Sequence, residues 1–137
     1  MSSGRYNLAV GLLTLAGFMV YGFVLIYLRD FAPGKEEWIA SYGLGKHFEA
    51  RLAHVHGGLF ALINVVLGVV VPRLPGAGTR KGVAALGMAG LLMPTGILAE
   101  VYFGAPPVLV LLGGVAILVA MVWAGVAALR IPSEVRE

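Results

Sequence analysis

The stretch Lys46–Leu74, KHFEARLAHVHGGLFALINVVLGVVVPRL, decides the fold. It holds all three histidines of the chain (His47, His54 and His56), one of its two asparagines (Asn64), and the glycines Gly57, Gly58 and Gly68. These residues interrupt a run that is otherwise apolar enough to cross a bilayer. Ionisable side chains at membrane depth are costly, and chains that keep them use them.

Working outward, about 20 helical residues span the ~30 Å hydrocarbon core. Four runs meet that length: residues 8–28, 47–71, 82–103 and 107–129. The composition agrees, with 59% hydrophobic and 12% charged residues in a chain of 137, where soluble domains carry about 25% charged residues. The expectation is one all-α domain over residues 1–137, an integral membrane bundle of four transmembrane helices. A cleaved signal peptide is not expected at the N-terminus, because the first run is too long for one and ends in Leu28-Arg29-Asp30 without a small-x-small cleavage site. Residues 29–45 carry turn chemistry at Ala32-Pro33-Gly34, followed by charges mixed with Trp38, Ile39 and Tyr42. They form either a short interfacial helix or a solvated loop. Pro72 stops the second helix, and Pro94 falls in the middle of the third, where it should kink it.

The pI of about 9.5 is no sign of nucleic-acid binding. The ten Lys and Arg residues sit at the ends of apolar runs and form no continuous stripe. The 73–81 loop is basic without an acid, whereas in the first loop acids balance the bases. By the positive-inside rule both termini are expected in the cytoplasm and the first loop outside. Tyr21, Tyr27, Arg51, His54, His56, Glu100 and Tyr102 then share one half of the membrane. With no cysteine in the chain, thiolate chemistry is excluded.

At about 100° per residue, His47, Arg51, His54, Gly58, Ala61 and Val65 lie along one stripe, flanked by Gly57, Asn64 and Gly68. This small-residue face suits close approach of another helix. His47 is expected at the interface. His56 points about 200° away from His54, so the two imidazoles cannot ligate one ion. Zinc would need more ligands than this face supplies. Three readings stay open: histidines that hydrogen-bond between helices, a b-type haem on one histidine with an open position, or a proton or quinone role. Asn64 is the candidate polar group inside a pocket, Tyr21 needs a hydrogen-bond partner, and Glu100 either reaches the interface or pairs with Arg51.

The entry Arg51-Leu52-Ala53-His54, the small residues after it, and the exit Val70-Val71-Pro72-Arg73-Leu74 resemble the second helix of the styrene oxide isomerase and hydroxylaminobenzene mutase group, small four-helix membrane proteins. The resemblance covers this helix and the general plan. It implies haem b with His54 as axial metal ligand, seated at the interface of a homotrimer in a bacterial inner membrane. It further implies rearrangement of a small apolar substrate such as an epoxide, with Asn64 or Tyr21 placing the substrate oxygen and Glu100 with Arg51 setting the local field. His56 and Arg51 are the other candidate cofactor contacts. Where the isomerase pattern has its asparagine six residues after the ligand, this chain has Phe60. A membrane haem or quinone electron-transfer protein and a non-catalytic assembly subunit are the alternative functions.

Overall fold

Hydropathy alone asks for four crossings, and the computed structural model, which describes residues 4–131, supplies them. Helix α1 covers Gly4–Asp30, α2 Lys35–Ala40 and α3 Gly45–Val70, followed by a 3-10 turn over Val71–Arg73. Helices α4 (Ala77–Ala89), α5 (Leu92–Phe103) and α6 (Val108–Ala128) complete it, with no strand among the described residues. The segments long and apolar enough to cross a membrane are Gly4–Asp30, Gly45–Arg73, Ala77–Phe103 and Val108–Ala128. The chain is an all-α integral membrane protein. The first loop resolves into a helix, α2, entered through Gly34 at φ 80°, a left-handed conformation that favours glycine.

Helix α1 lies along α3, α3 also packs on α5, and α6 packs on α4 and α5. Lipid tails are as apolar as leucine, so close packing must hold such helices together. The small-residue face of α3 does this. A Cβ on Gly11 would come within 2.7 Å of Val65 N and 2.8 Å of the Ala61 carbonyl, and one on Gly68 within 2.7 Å of Leu8. Gly57 makes room for the Phe18 ring.

The third crossing is broken where Pro94 requires it. A proline ring clashes with the carbonyl four residues back, here that of Gly90, and the helix stops at Ala89 and restarts at Leu92. Leu91 N–H donates to the Met88 carbonyl at 3.1 Å, one residue short of the α-helical acceptor, Gly87. The freed Gly87 carbonyl accepts from Asn64 Nδ2 at 2.8 Å.

Helix α2 folds back over the start of α3. Trp38 stacks on His47 with centroids 4.5 Å apart, and Tyr42 meets the same imidazole edge-on at 5.1 Å. His47 Nδ1 donates to the Trp38 carbonyl at 2.8 Å. His47 is only 4% exposed and is buried beneath α2.

Candidate functional site

The polar residues of the membrane segments separate into two layers. The first, at the end of the bundle that carries α2, is built on His54. Its imidazole lies against α1 at Gly22, where a Cβ would come within 2.9 Å of Cε1, so glycine there leaves room for the ring. Neither ring nitrogen has a hydrogen-bond partner among the described residues, and Nδ1 is fully buried. A tilted Tyr21 ring sits 6.2 Å away, centroid to centroid. Tyr21 finds the partner its depth demands in Tyr102, the two hydroxyl oxygens 3.0 Å apart across α1 and α5.

His54 also sits where two depressions between α1 and α3 meet. One of about 420 Å³ is lined by Met19, Gly22, Phe23, Leu25, Ile26 and His54. The other, about 250 Å³, shares Met19 and His54 and adds Leu15, Phe18, Val55 and Gly58. Together they form an apolar cleft, open along the outside of the bundle, in which the imidazole is the polar group. Phe23 and Val55 on its rim are 69% and 62% exposed, as suits a surface that faces lipid or another chain.

The second layer is a clasp ten residues further along α3, roughly 15 Å from His54 along the axis. Asn64 Oδ1 accepts from Asn7 Nδ2 at 2.8 Å, and Asn64 Nδ2 donates to the Phe60 and Gly87 carbonyls. Asn7 Nδ2 also donates to the Ala84 carbonyl at 2.9 Å. Both asparagines are fully buried. The amide of Asn64 is thus engaged in joining α1, α3 and α4, and it does not line the His54 cleft.

The other expected residues are placed apart. His56 Nδ1 donates to the Leu52 carbonyl at 2.9 Å and its ring meets Phe60, on a different side of α3 from the cleft. Arg51 lies over the Tyr42 ring at 3.8 Å and reaches the Tyr42 carbonyl at 3.4 Å. The Arg51–Glu100 pair considered from sequence does not form: among the described residues the ion pair present is Arg29–Asp30. The returning α2 segment brings Tyr42 to Arg51 and provides both a ring face and a carbonyl. Glu100 Oε1 is buried without a hydrogen-bond partner, two residues and so about 200° around α5 from Tyr102. It therefore points away from the Tyr21–Tyr102 pair.

Sequence reasoning misses Asn7 and Met19, and it places Tyr102 in the same half of the membrane as Tyr21 without pairing the two. Asn7 had a signal, since Gly4, Asn7, Gly11 and Phe18 fall along one stripe at spacings of three, four and seven. No group of three or more His, Asp or Glu side chains that could hold a metal ion comes together among the described residues. Comparison with known proteins returns no matching family model, no matching curated protein and no matching solved structure.

Proposed function

We propose that this chain binds haem b through His54 in the α1–α3 cleft and rearranges a small apolar substrate such as an epoxide. The observation that carries the reading is the contrast among the three histidines. His47 and His56 each give Nδ1 to a backbone carbonyl, whereas His54 has two unclaimed nitrogens in an apolar cleft. An imidazole with a free nitrogen and no competing donors would be able to hold the iron of a b-type haem. The walls formed by Met19, Phe23, Ile26 and Val55 suit a porphyrin face and exclude water.

When bound, the haem iron supplies a Lewis-acid position for a substrate oxygen. His54 holds the group, and Gly22 sets the imidazole's approach to α1. Tyr21, held by the Tyr102 hydroxyl, presents a phenolic oxygen that can hold or donate a proton beside the cleft. Isomerisation needs no external redox partner, and His47 and His56 lie away from the cleft, so a haem held there would meet no second histidine of this chain, which favours this reading over electron transfer. The expected setting is a bacterial inner membrane with both termini cytoplasmic. A reporter fused at Glu137 that reads out on the opposite side would reverse that orientation.

An absorbance spectrum after haem-replete expression is the test. The wild-type protein should show a Soret band that His54→Ala abolishes and His56→Ala keeps. Tyr21→Phe should keep the band and lower turnover of an aryl epoxide about a hundredfold. A band unchanged in His54→Ala removes the assignment. A six-coordinate low-spin spectrum would instead favour electron transfer.

A further inference from the structure

At the end of the bundle opposite α2, the short basic loop meets the end of α6 around a cavity of about 370 Å³, lined by Pro75, Gly76, Thr79, Trp123, Val126, Ala127 and Arg130. Its chemistry changes with depth. Trp123, Val126 and Ala127 form an apolar inner wall, and Gly82 leaves the space in which the six-membered ring of Trp123 lies. At the rim stand the Thr79 hydroxyl and the Arg130 guanidinium, neither with a hydrogen-bond or ion-pair partner for its side chain among the described residues. The neighbouring arginines are engaged with backbone, Arg73 of the 3-10 turn on the Val69 carbonyl at 2.6 Å and Arg80 of α4 on the Leu74 carbonyl at 3.0 Å. They keep their charge but leave Arg130 as the guanidinium that lines the cavity without a side-chain partner among the described residues. The segment from Arg73 to Lys81 carries three positive residues and no acid.

We infer that this cavity binds the headgroup of an anionic phospholipid. An uncommitted guanidinium and a hydroxyl at the rim match a phosphodiester, which accepts charge-assisted hydrogen bonds. The apolar inner wall beside Trp123 matches the glycerol and the first acyl carbons. The cavity also lies at the end of a membrane-spanning helix, the depth at which a lipid phosphate sits. Basic clefts between transmembrane helices are suited to anionic lipid for this reason. A soluble phosphate would share the polar contacts but gain nothing from the apolar wall. The inference is independent of haem and of the His54 cleft.

The experiment uses the full chain in detergent micelles, with Trp38→Phe leaving Trp123 as the single tryptophan reporter. Titration with dioleoyl-phosphatidylglycerol should shift Trp123 emission saturably and raise the Tm, while dioleoyl-phosphatidylcholine at the same mole fraction should do neither. Arg130→Gln should weaken the phosphatidylglycerol response about fivefold, and Thr79→Val should weaken it further. Lys35→Gln, at the other end of the molecule, should leave it unchanged. Equal responses to the two lipids would overturn the proposal, as would wild-type affinity in Arg130→Gln. A full response to glycerol 3-phosphate alone would make the ligand a soluble anion and overturn the lipid assignment. Circular dichroism of Arg130→Gln separates lost binding from lost folding, and native mass spectrometry gives a second readout, in which phosphatidylglycerol adducts seen on the wild-type protein should be depleted in Arg130→Gln.

Discussion

At the residue scale, Asn64 and His54 share one helix and have opposite relations to their surroundings. Asn64 has every polar atom of its side chain engaged, joining three helices, whereas His54 has none engaged. A group whose bonds are all made inside the protein stabilises, and a group left open is available to a ligand. Asn64→Ala should therefore cost about 1–2 kcal/mol, since it strands the Gly87 carbonyl in a bilayer. A double-mutant cycle with Asn7→Ala should return a coupling of about 0.6 kcal/mol or more. Reversible unfolding in mixed micelles measures both. If Asn64→Ala unfolds like wild type but loses the haem band, the residue acts in the cofactor site and the clasp carries no weight. The sequence pattern placed Asn64 on the correct flank of α3. It could not reveal the partner, because the Gly87 carbonyl becomes an acceptor only through the break that Pro94 makes in another helix.

At the scale of elements, the α1–α3 contact makes glycines unequal. Gly11 and Gly17 are both on α1, but an added Cβ at Gly11 would press on the backbone of α3, which cannot yield, and one at Gly17 would meet nothing within 4 Å. Gly11→Ala should destabilise the protein by about 1–3 kcal/mol through overpacking. Gly17→Ala should be neutral or stabilising by up to about 1 kcal/mol, from helix propensity alone. Equal effects at the two positions would mean that α1 does not approach α3 along the Gly4, Gly11, Phe18 stripe. The four crossings and the kink were legible because apolar run length and proline chemistry act locally. The packing of α2 on His47 and of Tyr42 on Arg51 was not. Those contacts depend on how tightly the chain reverses between Asp30 and Gly45, and charge and aromatic content alone leave that open.

At the scale of the molecule, the two outer helices expose different kinds of surface. Helix α6 shows lipid an apolar face, with Leu111 66% and Leu118 63% exposed. Helix α1 shows a similarly exposed face at Val20 and Phe23, but beside it runs the cleft that ends in an open imidazole. A flat cofactor seated on His54 would have one side covered by this chain and the other turned outward. Coverage by a second copy of the chain would complete the site and exclude lipid from it. An association of the kind the resemblance implies would therefore be expected on the α1–α3 face and not on α6. Because the chain has no cysteine, single replacements give a clean readout. Met19→Cys should form an intermolecular disulfide on mild oxidation in native membranes, and haem depletion should lower its yield. Leu118→Cys, equally exposed on α6, should stay monomeric under the same conditions. Crosslinking at Leu118 as efficient as at Met19 would reduce the effect to random collision, and no crosslink at Met19 would leave the cleft facing lipid, with His54 serving a site that one chain completes alone.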